Sequence, residues 1–251
     1  MRKLLKLNAA AAPLALAAAI AFSTPARADP TPECNDGPAA GSTECGTNST
    51  ATGTDATAVG QDSDATATDT TAVGHDADAT AAGATAIGSG STASGENSTA
   101  LGSSSIAQGE RSFAVGIGAV AVADNSIAIG GDGVVDADSL GAVATGAQSI
   151  AIGLEATATS GNAIAFGTGT VSSVGESVAI GAGAEATAYS AVGLGSGSTS
   201  SGDRSVALGS VSTADGNRAS SMGWGSHASG DGGIAIGSEA TTVGTTQTNG
   251  T

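Results

Sequence analysis

From residue 46 onward a five-residue unit keeps returning: a small residue, a hydrophobic residue, alanine, a second hydrophobic residue and glycine. Ser126-Ile127-Ala128-Ile129-Gly130, Ser149-Ile150-Ala151-Ile152-Gly153 and Ser177-Val178-Ala179-Ile180-Gly181 show it most clearly. The closing glycines fall at 60, 74, 88, 102, 116 and 130, then at 153, 167, 181, 195, 209, 223 and 237, with 14 residues between neighbours in each set. Gly46 extends the first set one step back, with Cys45 in the hydrophobic place. A helix would hold glycine at fixed interior positions throughout, at a cost of about 1 kcal/mol each relative to alanine. Alternation with period two is the pattern of a strand. Repetition at this fidelity predicts a solenoid, each 14-residue unit forming one coil: this strand, a turn, a second short strand such as Ala65-Thr66-Ala67, and another turn.

The residue before each closing glycine forms one ladder up the stack: Val59, Val73, Ile87, Leu101, Val115, Ile129, Ile152, Phe166, Ile180, Leu194, Leu208, Met222 and Ile236. The residue before that is alanine in all but two units, where Gly193 and Ser221 stand, and must point to the opposite face. No pentamer of the 13 complete units contains a charged residue. Both faces of this sheet are therefore expected to be covered. One fills the narrow interior, opposite small residues of the second strand such as Ala79, Ala93, Ala107, Ala121, Ala186 and Ala228; the other needs a partner chain.

Charge gathers instead at the corner before the pentamer, as Glu96, Glu110, Asp124, Asp138, Asp203 and Asp231, beside glycine or asparagine suited to tight turns. The simplest reading is an acidic, solvated edge that keeps a flat stack soluble. One irregularity interrupts the period: 23 residues separate Gly130 from Gly153, with the surplus falling near 131–146. It reads as a loop bulging from one coil.

Composition narrows the class. Aromatics make up 2% of the 251 residues and charged residues 12%, so large buried rings cannot hold this chain together, and many small repeated contacts must. Residues 1–28 carry Arg2, Lys3 and Lys6 ahead of an apolar stretch and end in Ala26-Arg27-Ala28, the pattern of a cleaved secretory signal. Without that segment, Arg111, Arg204 and Arg218 stand against 23 acidic residues, a formal charge of −20. Phosphate recognition needs clustered basic residues, so a nucleic-acid partner is excluded. No later segment is apolar enough to span a membrane as a helix. The two cysteines, Cys34 and Cys45, are read as one disulfide in an exported protein rather than as two free thiols. All five prolines lie at or before Pro38, which sets 29–42 apart as an N-terminal cap.

Catalytic chemistry finds no support. His75 and His227 lie on distant coils, and the Gly-x-Gly strings lack the lysine and the strand-to-helix context of a phosphate loop. No catalytic, cofactor-binding or metal residue is assigned, no cofactor is expected, and the ligand-binding residues are unknown.

The repeated Ser-Val-Ala-Ile-Gly and Ser-Ile-Ala-Ile-Gly pentamers at a 14-residue period, behind a signal sequence, resemble the YadA-like head domain of trimeric autotransporter adhesins, over roughly Gly46 to Gly237. The resemblance implies an all-β, left-handed parallel β-roll that assembles as a homotrimer. It also implies binding of an extracellular matrix protein such as collagen, or of a cell-surface partner. The chain departs from that family in showing neither stalk heptads nor anchor-barrel strands, which leaves open whether it is attached to the outer membrane or secreted. The expected organisation is a signal peptide at 1–28, the cap at 29–42, the solenoid at 43–240 and a tail at 241–251. The competing reading is a structural or surface-coating scaffold without a specific ligand. An ice-binding variant of it would use Thr66, Thr80, Thr157, Thr159, Thr187, Thr199 and Thr213, an array broken by Val120, Val122, Val171 and His227.

Overall fold

The computed structural model describes residues 34–132 and 140–243. The expected signal peptide, the first residues of the expected cap, much of the irregularity and the end of the expected tail lie outside them. The described residues form a parallel β-solenoid. Long strands of three residues, such as Thr57–Val59, stack into one sheet, and short strands of two residues, such as Asp64–Ala65, stack into a second. Each strand pairs in register with its counterpart one repeat on, as Thr57 does with Thr71 and Asp64 with Asp78. Backbone groups bond up and down the stack: the Thr57 N–H donates to the Thr70 carbonyl at 2.9 Å, and the Gly60 N–H to the Cys45 carbonyl at 2.7 Å. Fourteen such coils at about 4.8 Å each make a rod on the order of 65–70 Å long.

The short strand begins one residue earlier than the sequence reading placed it. Ala67 already belongs to the turn, because the chain must reach the left-handed conformation at Asp69, with φ of 57°, before the next long strand starts. Each coil thus has two corners. The first follows the long strand (60–63 in this coil) and the second follows the short one (67–70). Both carry a residue of positive φ, Asp62 at 55° in the first and Asp69 in the second, and asparagine, aspartate and glycine tolerate that conformation best. The pentamer glycine is required twice over. At Gly181 φ is 125°, and a Cβ would lie 2.6 Å from the carbonyl carbon of Gly195 in the next coil.

The interior is very narrow. Four residues per coil point into it, here Ala58, Ser63, Ala65 and Thr70, all fully buried. Among the described residues the bulkiest fully buried side chains are Thr70 and Thr170. Many buried hydroxyls are satisfied locally, Ser63 Oγ donating to the Gly60 carbonyl at 3.0 Å and Thr70 Oγ1 to the Ala67 carbonyl at 2.6 Å, whereas those of Ser98, Ser112, Ser149 and Ser198 have no partner among the described residues. Where serine replaces an interior alanine, a second serine five residues on meets it, at 2.6 Å for Ser172 and Ser177, 2.6 Å for Ser200 and Ser205, and 2.7 Å for Ser221 and Ser226.

At the N-terminal end, strand Cys34–Asp36 runs antiparallel to Thr43–Cys45, and a disulfide joins Cys34 to Cys45. This covers an edge that would otherwise present unpaired backbone groups. Glu44 takes the interior alanine slot at that end, where its Oε1 accepts the Ala51 N–H at 2.8 Å. The irregularity leaves the stack at the first corner. Asp132 keeps its regular bond to the Ile117 carbonyl at 3.0 Å, and Ala142 resumes the regular place, its N–H on the Gly130 carbonyl at 3.0 Å. Val143 then pairs with Val120, so the coil closes in register despite the surplus residues.

Candidate interaction surface

Side chains alternate across each strand, so once the alanines fill the interior their neighbours on both sides must point outward. The ladder from Val59 to Ile236 therefore lies on the outside of the long sheet. Val59, Val73, Val115, Ile129, Ile152 and Leu194 are half-buried there. Ile87, Leu101, Phe166, Ile180, Leu208, Met222 and Ile236 are exposed, Phe166 to 51% and Ile236 to 68%. A second column, two residues earlier, runs beside it: threonine in the first coils (Thr57, Thr71, Thr85, Thr99), then Phe113, Ile127, Ile150, Ile164 and Val178. The ladder read from the sequence is one of the two; the same period displaced by two residues contains the other. Together they make an uncharged, largely apolar strip along the rod, far more continuous than the scattered apolar residues of an ordinary surface.

The outside of the short sheet differs. Its columns are rich in threonine and serine, with Asp64 stacked on Asp78, Glu185 next to Thr199, and an apolar stretch at Ile106, Val120 and Val143. The threonines fall in two columns rather than one, since Thr157, Thr199 and Thr213 open strands whereas Thr66, Thr80, Thr159 and Thr187 follow them. Burial, with repulsion from Asp64 and Asp76, raises the Asp78 carboxyl above its usual range. Asp62 is held below it by hydrogen bonds from Asn48 Nδ2 at 2.9 Å and Gln61 Nε2 at 3.0 Å. One group of three metal-capable side chains occurs among the described residues, with donor atoms of Asp62, His75 and Asp76 within 4.8 Å of one another. Its members lie on the surface, and hydrogen bonds already engage both Asp62 oxygens. Asp62 and Asp76 stand one 14-residue period apart, which is the signal for this trio in the sequence.

The expected acidic corner is the second corner. Glu96, Asp124, Asp203 and Asp231 are exposed there and Glu110 is half-exposed; Asp138 lies outside the described residues. All three arginines of the described chain share this edge, each in the positive-φ place: Arg111, Arg204 and Arg218. Arg111 bonds Glu110 at 3.1 Å and Asn125 at 3.1 Å, and Arg204 lies 5.9 Å from the centre of the Tyr189 ring. Asp203, Arg204, Asn217, Arg218 and Asp231 line a shallow hollow of about 250 Å³. His227 Nε2 lies 2.8 Å from Asp215, which also accepts from Ser201 Oγ at 2.8 Å. The carboxylate stands between hydroxyl and imidazole, whereas a nucleophile relay needs the imidazole in the middle. The trio fastens neighbouring coils together.

The YadA head domain repeat matches the chain in ten overlapping segments, which together take in residues 46–132, 144–184, 186–212 and 214–240. That is well over half of the chain, and it coincides with the coils. The chain belongs to the YadA head domain repeat family. Its fold is the parallel β-solenoid expected of a YadA head, and the family and fold are those of an adhesin-type head rather than an enzyme. Among solved structures, the collagen-binding domain of the Yersinia adhesin YadA is similar at 26% identity, over 57% of this chain and 72% of that one, with a TM-score of 0.37. No curated protein matches. No helix among the described residues is long and apolar enough to cross a membrane.

Proposed function

We propose that this YadA-type head is the binding part of an exported surface adhesin. It works as a homotrimer that presents its outer surface to an extracellular matrix protein such as collagen, or to a cell-surface partner. Residues 1–28 are the export signal in this reading, 29–42 the cap, 43–240 the solenoid with its irregularity near 131–146, and 241–251 a tail. The observation that carries it is the division of the surface. The strip outside the long sheet is uncharged and apolar, and solvent exposure of so much contiguous apolar area is costly unless copies of the chain cover it. The short sheet and the second corner offer hydroxyls and carboxylates in most coils, suited to many weak simultaneous contacts with a basic or collagen-like partner.

The test has two parts. Sedimentation of the exported protein should give a trimer, and Ile129→Asp with Ile152→Asp should give a folded monomer, because both side chains point outward. Immobilised protein should retain collagen, a second matrix protein or intact cells at low salt. Retention should fall as salt is added and when two whole coils are deleted. Absence of all such retention, with ordered coats still forming, would favour the scaffold.

A further inference from the structure

The two corners of the coil perform the same backbone task with different chemistry. Each needs one residue of positive φ, and the angles match: 61° at Gly169 and 64° at Gly183 in the first corner, 57° at Arg218 and 58° at Asn162 in the second. Over the five coils whose first corners run from Thr168 to Gly225, the first corner carries no charged residue. The second corners of the same coils carry Glu176, Asp203, Arg204, Arg218 and Asp231. Within one chain nothing demands the difference, since a Cβ at Gly169 or Gly183 would meet no atom within 4 Å. The first corner also holds exposed large apolar side chains: Ile117 at 60%, Leu154 at 43%, Val211 at 53% and Trp224 at 56%. Val211 is a β-branched residue at φ of 54°, a conformation that disfavours it.

Area points the same way. The strip outside the long sheet is two columns wide, their centres about 7 Å apart, so that with the side chains it is about 13 Å across and about 65 Å long, a footprint of roughly 850 Å². A stable interface takes about 800 Å² from each partner, and in a trimer the strip must serve two neighbours. A corner has to join the contact.

We infer that the first corner of these five coils, with Val211 and Trp224 as its anchors, is buried at the seam between neighbouring copies of this chain, while the first corners that carry Asp62, Asp76, Glu155 and Glu239 lie outside it, and that the second corner faces outward with its arginines and carboxylates. The inference rests on the homotrimer reading. It assigns each protomer an apolar edge for its neighbour and a charged edge for solvent and ligand. It also accounts for glycine in the positive-φ place at 169, 183, 197 and 225, where another backbone approaches.

Trp224 is the single tryptophan, and both native cysteines are held in a disulfide, so fluorescence and introduced thiols report cleanly. In the assembled wild-type protein, Trp224 should emit to the blue of the Ile129→Asp/Ile152→Asp monomer and resist acrylamide several-fold better. A thiol at Ser196→Cys, in the first corner, should react several-fold more slowly in the assembly than in the monomer. One at Asn217→Cys, in the second, should react alike in both. A trimer whose Trp224 is fully quenchable and whose two corners react alike would overturn the seam while leaving the trimer intact. A wild-type protein that sediments as a monomer would remove the trimer reading and the seam with it.

Discussion

The pentamer glycines allow the stacking of coils to be separated from backbone strain in one pair of substitutions. Gly181 and Gly237 have nearly the same φ, 125° and 122°, so alanine meets the same conformational penalty at both, on the order of 1–3 kcal/mol. Their surroundings differ. At Gly181 the new Cβ would lie 2.6 Å and 2.7 Å from the carbonyl carbon and oxygen of Gly195, where ordinary contact begins at 3.4 Å. At Gly237 the nearest atom is Ala240 Cβ at 3.9 Å. Relieving the clash means parting two coils by about 0.7 Å, which would break the 2.8 Å bond from the Gly195 N–H to the Ile180 carbonyl and strain its neighbours. Losing one or two such bonds and the packing between them should make Gly181→Ala about 3 kcal/mol more destabilising than Gly237→Ala. Urea denaturation followed by circular dichroism, at one protein concentration, measures the difference. Ala235→Asp, in the last coil, serves as a control that this coil contributes to the transition. If the control is destabilised and the two glycine variants unfold alike, the neighbouring carbonyl is not what demands glycine.

Three further outcomes follow from the interior and the cap. Ser98 Oγ is buried without a hydrogen-bond partner among the described residues, while Ser126 Oγ, in the same place of another coil, donates to the Ala123 carbonyl at 2.6 Å. Ser98→Ala should therefore be neutral or stabilising and Ser126→Ala should cost about 1 kcal/mol, as read from denaturation midpoints. The disulfide closes a separation of 11 residues, and replacing both cysteines by alanine should lower stability by roughly 2–3 kcal/mol on the loop-entropy account, seen also as faster hydrogen exchange in Thr43–Cys45. Asp78 has a raised carboxyl pKa, so folding favours its protonated form, and the stability this gives in acid is lost as pH rises through the folded value. Asp78→Asn should raise the melting temperature at neutral pH, with the gain shrinking as the pH is lowered through the carboxylate range.

Much of this protein is legible without coordinates. Fourteen-residue spacing of glycines, alternation within the pentamer and the uncharged character of both faces follow from the chain alone, because a solenoid writes each structural constraint once per coil. Strand, turn and register are local consequences of that period. What the alternation leaves undetermined is which face turns inward. Hydrophobicity by itself would turn Ile129 inward and Ala128 outward, and the reverse occurs: two sheets joined by four-residue corners leave the interior between stacked coils room for no fully buried side chain larger than threonine among the described residues. The same restriction decides that a serine at 172, 200 or 221 is accepted where another serine lies five residues on. It sends the bulky ladder outward, where it becomes surface instead of core. The contrast between the two corners also needed the tertiary structure. Gly183 and Arg204 occupy equivalent left-handed positions, and only once the coils are stacked do they separate onto different edges of the rod, the first uncharged from Thr168 to Gly225 and the second charged over the same coils.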